Sequence, residues 1–179
     1  MRYYVSFGFM GLFLTVGGIA QADDREDVAK WVKILKTSKS SDERVSAISD
    51  LMILSRNNFE PIKPAVPDLI EVMKNDKSRQ VRSTAGLVIA NTGPGAKAAL
   101  PHAITILKDA KENDEVKIGA AKIVGACGIF GITESKEALP ILTTIEKAET
   151  AKDASSRNER LLEIVSEAIR SIHAGTKGK

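Results

Sequence analysis

Ala99-Leu100-Pro101-His102-Ala103-Ile104-Thr105-Ile106-Leu107 carries a design that the chain uses four times. Counted from Leu100, apolar residues stand at +3, +4, +6 and +7, namely Ala103, Ile104, Ile106 and Leu107. Val66, inside Ala65-Val66-Pro67, has Leu69, Ile70, Val72 and Met73 at the same offsets. Val28 has Trp31, Val32, Ile34 and Leu35. Leu139, inside Ala138-Leu139-Pro140, keeps Leu142 and Ile145 but has Thr143 and Glu146 at the other two positions. The +3, +4 and +7 members form one helical stripe, and the +6 member widens it into a broad buried face. Recurrence at this spacing predicts stacked repeat units.

A second helix is predicted behind each first one. Val45, Val81, Val116 and Leu161 open further apolar series, the last continuing through Ile164, Val165, Ala168, Ile169 and Ile172. Ser40-x-x-Glu43 and Ser156-x-x-Glu159 read as capping boxes, and Ser78 and Asn113 as single N-caps. Pro67, Pro101 and Pro140 suit a first helical turn, where the missing N–H costs nothing. Asn91-Thr92-Gly93-Pro94 and Gly131 end helices by turn chemistry. No stretch alternates as a strand does. The fold expected is all-α, eight helices in four hairpins.

The stretch Ile118–Ile129 is apolar almost all round, as befits a helix with neighbours on both sides. Its glycines weaken intrinsic helicity by about 1 kcal/mol each, so tertiary packing must hold it.

The first 22 residues stand apart. They hold five of the eight aromatics (Tyr3, Tyr4, Phe7, Phe9, Phe13) and no acid. Met1-Arg2, an uncharged run from Tyr3 to Ala20, small residues at Ala20 and Ala22, and then Asp23-Asp24 lay out a secretory signal peptide cleaved after Ala22. The alternative is a membrane anchor formed by residues 3–20, just short of the ~20 apolar residues a span needs. No cysteine stands near the cleavage site to take a lipid. Residues 175–179 read as a flexible tail.

Beyond residue 22 the chain has 25 Lys+Arg against 23 Asp+Glu, which is no electrostatic footprint for nucleic acid. An apolar share of 43% argues against disorder. One cysteine, Cys127, leaves no disulfide within the chain and no multi-cysteine metal site.

The proline-headed first helices resemble HEAT repeats. So do the Val-Arg and Val-Lys steps four residues into the second helices, and the link Thr92-Gly93-Pro94-Gly95-Ala96-Lys97-Ala98-Ala99-Leu100-Pro101. That link is similar to bacterial HEAT-like units of the phycobilisome-lyase type. The likeness spans about residues 26–173 and is strongest over Pro64–Ile129. Ala29 replaces the proline and Ser46 the basic residue in the first unit, and the last carries an insertion around 149–155. The resemblance implies a short right-handed α-solenoid over 23–174, with repeats at about 26–60, 62–92, 95–131 and 135–174. It implies protein binding, with no fixed active site.

No catalytic, cofactor or metal site is expected from the residues. His102 and His173 lie in different repeats, His102 at an exposed helix start. Cys127 sits inside an apolar helix as a small core residue. The carboxylates Asp42, Glu43, Asp76, Asp114, Glu115 and Glu159 fall at helix starts and on wet faces, where capping and dipole complementation explain them. Gly93-Pro94-Gly95 lacks the strand and spacing of a phosphate loop. The one candidate site is a basic row, Arg44, Arg82, Lys117 and Arg160, each in the first turns of a second helix. Lined up along a stack, these cations would read an acidic protein partner. Alternatively they bond to adjacent repeats as an internal ladder. The expected function is an exported, non-catalytic interaction or scaffolding module. The competing classes are an accessory subunit of a lyase-like enzyme and a membrane-tethered structural protein.

Overall fold

The computed structural model describes residues 17–177, with side-chain environments from 23 to 175. Among these residues it is all-helical, without strands. Eight α-helices form four hairpins: α1 (Gly17–Thr37) with α2 (Ser41–Asn57), α3 (Val66–Asn75) with α4 (Arg79–Ala90), α5 (Leu100–Lys108) with α6 (Asp114–Ile129), and α7 (Leu139–Thr150) with α8 (Glu159–Lys177). The second helices α2, α4, α6 and α8 touch in sequence along the stack, while first helices meet one another more sparsely. This is a helical solenoid.

The apolar offsets are the core. Leu69, Met73, Ala103, Leu107, Leu142, Val32 and Leu35 are all buried. Between repeats the chain makes a feature the sequence did not reveal, a 3₁₀ turn before α3, α5 and α7: Glu60–Ala65, Gly93–Ala99 and Thr133–Ala138. Short i→i+3 turns suit these links because Pro61, Pro64 and Pro94 lack the N–H that a longer helix would use. In the third, which has no proline, Ser135 donates both its N–H (3.1 Å) and its hydroxyl (2.7 Å) to the Ile132 carbonyl. Gly93 and Gly131 turn the chain with φ of 61° and 65°, left-handed values that favour glycine.

The N-caps decide the register. Ser40, Ser78 and Asn113 accept from the backbone N–H of Glu43, Val81 and Glu115. The reciprocal half of the first capping box is absent, because the Glu43 carboxylate accepts from Ser38 Oγ at 2.5 Å. The second box is a correction. Asn158, not Ser156, caps α8, its Oδ1 accepting from Leu161 N–H at 3.1 Å, while Ser156 Oγ donates to the Asp153 carbonyl.

Glycines set the spacing of the second helices. A Cβ on Gly119 would stand 2.6 Å from the Ser83 carbonyl oxygen of α4, and one on Gly128 2.7 Å from the Ile172 nitrogen of α8. The second helices at either end differ from α6. Five, twelve and fifteen residues after its cap, α6 carries Ile118, Gly125 and Gly128, all buried, where α8 carries exposed Glu163, Arg170 and His173. On α2, Asp42 and Ser46 are exposed likewise. Charged or polar outer positions keep the flanks of a short stack wet.

Helix α1 runs through Ala20-Gln21-Ala22-Asp23, and residues 1–16 of the expected signal lie outside the described residues. Asp24 is already tied into the fold, accepting from Asn58 Nδ2 at 3.1 Å. At the other end α8 continues to Lys177, because Gly175 rests directly on the Gly128 carbonyl and extends the packed seam. Residues 178 and 179 lie outside the described residues. Among those described, no helix is long and apolar enough to cross a membrane.

Candidate interaction surface

Three of the four cations of the basic row turn toward the following repeat. Arg44 grips Asp76 with two guanidinium nitrogens, at 2.7 and 3.0 Å, and donates to the Ser38 carbonyl at 3.1 Å. The hydrogen bond and charge of Asp76 raise the Arg44 pKa against the opposing effect of burial. Arg82 repeats the arrangement, donating to Glu112 and to the Asp76 carbonyl, each at 2.9 Å. Lys117 lends its charge to Glu149, one repeat further on. Each of these cations stands four residues after its helix cap and faces a carboxylate at the next intra-hairpin turn. Arg44 and Arg82 form a ladder of inter-repeat contacts that spends their charge inside the fold, while Lys117 acts on Glu149 through its charge alone.

Arg160 is not on that row. With Asn158 as the cap it stands two residues into the register, and Leu162 takes the fourth place. Arg160 is exposed and lines a polar cleft with Gln80, Ser83, Thr84 and Glu115. The misplaced cap carried the misplaced arginine with it.

Repeat four builds its own rung from residues that sequence reading missed. Glu149, buried to 5% exposure, accepts from Lys152 Nζ at 2.5 Å and from the Asn158 N–H at 2.9 Å. Burial opposes its ionisation. The hydrogen bonds from Lys152 and Asn158, with the charges of Lys152 and Lys117, outweigh that and hold the carboxyl below the usual range. Arg157 closes the turn by donating to the carbonyls of Glu149, Thr150 and Lys152. Nothing in the one-dimensional pattern marks Glu149, which looks like one more wet acid at a helix end. Because its folded pKa is depressed, its contribution to stability is present above the unfolded value of about 4.3 and is lost as pH falls through the folded one. Glu149→Gln should therefore cost about 1–3 kcal/mol at neutral pH and flatten the acid limb of a stability–pH curve below about pH 4.3. An acid limb identical to that of the unmodified chain would refute the role.

Cys127 is fully buried, and burial first, then the charge of Glu134, pushes its thiol up to about 11. It stays a protonated core residue. His102 is half-buried rather than exposed, and His173 lies on the outer side of α8. Among the described residues no group of His, Cys, Asp and Glu is placed to hold a metal ion, and every buried side-chain N or O has a partner.

What remains open is the face made by the second helices. Between α4, α6 and α8 runs a groove of about 160 Å³, floored by Ala121, Gly125 and Ala168 and bordered by Ala126, Ile129 and Ile164. Lys122 and Glu167 close a 2.6 Å ion pair across it. Ile129 is 63% exposed at its rim and the adjoining Phe130 is 52% exposed. Ile118–Ile129 has neighbours on both sides, α4 and α8, as its apolar character implies. Ile129 stands three and seven residues after the half-buried Ala126 and Lys122, on the helix stripe that faces the groove, so it reaches water. Ile53 is exposed on α2 as well.

No family model and no curated protein matches this chain. Among solved structures, it is similar to the crystal structure of an engineered protein, Northeast Structural Genomics Consortium Target OR329, at 22% identity. The match covers 83% of this chain and 68% of that one, with a TM-score of 0.54. At that identity the likeness is one of fold.

Proposed function

We propose that this chain is a non-catalytic protein-interaction module, a HEAT-like stack of right-handed superhelical sense that docks a partner on its second-helix face. The observation that carries the reading is the exposed Ile129 at the rim of the groove, followed in the chain by the exposed Phe130. Large apolar side chains left in water beside a preformed groove are the usual anchors of an interface. A groove of about 160 Å³ is smaller than the ~300–1,000 Å³ typical of small-molecule sites. A broad surface borne on rigid helices also loses little freedom on binding.

Affinity capture with the unmodified chain and with Ile129→Asp tests this. One stable protein partner should be recovered by the first and weakened at least about tenfold in the second, with melting unchanged, as loss of an anchor predicts. A partner retained equally by both, or small-molecule turnover without any stable partner, would defeat the reading.

The module is proposed to act after export, with residues 1–22 removed. Cleavage after Ala22 would leave Asp23 and Asp24 at the new start of α1, where acids complement the helix dipole. The intact mass of the exported protein should correspond to a chain beginning at Asp23; one beginning at Met1 would favour the membrane-tethered alternative.

A further inference from the structure

Each intra-hairpin turn carries two lysines: Lys36 and Lys39, Lys74 and Lys77, Lys108 and Lys111, Lys147 and Lys152. All of these side chains are exposed. The first of each pair lies in the last turn of a first helix, where a cation complements the dipole. That does not account for Lys39, Lys77, Lys111 and Lys152, which lie beyond the helix ends.

The turns also supply Asp76, Glu112 and Glu149, but these carboxylates face the ladder. Lysines are thus left facing outward along one edge of the stack. Lys36, Lys74 and Lys152 pair with Asp68, Glu71 and Glu149. Among the described residues, Lys39, Lys77, Lys108, Lys111 and Lys147 form no ion pair, and Arg79 is exposed beside Lys77.

The edge is not uniformly basic. Exposed Asp42, Asp109, Glu115 and Asp153 lie within or next to the first, third and fourth lysine turns. A continuous polyanion, such as nucleic acid or an anionic bilayer, meets like charge at three of the four turns. A polypeptide can set its carboxylates against the lysines alone.

We propose that this turn edge docks an acidic polypeptide segment running along the stack. Packed helices lie about 8–10 Å apart, roughly one turn of a polyproline II chain, whose three residues of about 3.1 Å each bring every third side chain to the same face. An acidic residue at every third position then meets one lysine pair after another. The proposal rests on the protein-interaction reading but uses a different surface from the groove.

Fluorescence anisotropy on the full chain tests it, with a labelled peptide in which glutamate recurs at every third position among Gly and Ser. Binding should weaken as salt rises from about 50 to about 200 mM. It should fall about tenfold in Lys77→Glu/Lys111→Glu, where like charge replaces attraction. Lys77→Gln/Lys111→Gln should lose less in the same direction. Lys136→Glu, in the Thr133–Ala138 turn that links repeats, should bind as the unmodified chain does. All these positions are exposed, so melting curves should coincide. No binding by the unmodified chain, or equal binding by the double glutamate variant, overturns the proposal. Tighter binding of a polysulfated glycan or of phosphatidylglycerol vesicles than of the peptide overturns it too, in favour of a uniform polyanion. Partner capture sensitive to Ile129→Asp without peptide binding sinks the edge and spares the groove; the reverse result sinks the groove alone.

Discussion

Gly119→Ala should lower stability by about 2–3 kcal/mol, read as a fall in the urea midpoint, although alanine normally favours a helix over glycine by about 1 kcal/mol. The added methyl would stand 2.6 Å from the Ser83 carbonyl oxygen and 3.4 Å from the Gly86 Cα. Both are backbone atoms of α4, so no rotamer change relieves the clash. The two helices must separate, and every contact along their seam loosens with them. Gly128→Ala should behave alike, since its methyl meets the backbone of Ile172 at 2.7 Å. Gly125→Ala is the control. There the methyl finds Ala168 at 3.4 Å, close to ordinary contact, and the gain in helix propensity should hold the change within about 1 kcal/mol of zero. Val124→Asp, by contrast, would bury a charge at a fully enclosed position of the same helix and should abolish folding. Equal effects of alanine at 119 and 125 would show that the helices are not in contact at the glycines as described.

Arg44→Met should cost about 3–5 kcal/mol, because it leaves the buried Asp76 carboxylate without its counter-charge. The Arg44 and Asp76 side chains are only 10% and 6% exposed. Asp76 would keep the Ser78 N–H at 2.7 Å, a single neutral donor where a two-point charged grip had been. Adding Asp76→Leu should recover most of the loss, since a well-packed apolar pair replaces a buried ion pair at little net cost. The unrecovered part would report the Ser38 carbonyl that Arg44 also serves and the Ser78 N–H from which Asp76 accepts. Lys36→Met, in the exposed pair with Asp68 between the same two repeats, should change stability by no more than about 1 kcal/mol. A double-mutant cycle separates the pair from its surroundings. If Arg44→Met and Lys36→Met cost the same, the ladder is ornamental.

The four-hairpin plan was open to view in the chain because helical burial repeats every 3.6 residues and leaves a periodic trace. Leu69, Met73, Ala103 and Leu107 go into the core for the same reason that they stand three and four apart. Gly93 and Gly131 are equally legible, since a left-handed turn asks for glycine wherever the chain must make one. Caps are local too, and three of four were readable. The fourth was not, because Ser156 and Asn158 both suit the role and contacts of Asn158 with Glu149 and Asp114, far off in the chain or in another repeat, select between them. From that one choice followed the displacement of Arg160 from the row.

Local pattern therefore determined the helices, their order and the positions that face inward. Tertiary structure alone decided which charges are spent and which are left, since Arg44 meets Asp76 and Arg82 meets Glu112 only when one hairpin lies on the next. It also decided which face of α6 is left open, exposing Ile129 on the stripe of Lys122 and Ala126 while Ile123 is enclosed. The physical reason is range. Backbone preference and helical periodicity act within a few residues and are written in neighbouring letters, whereas pairing and enclosure depend on partners some thirty residues away.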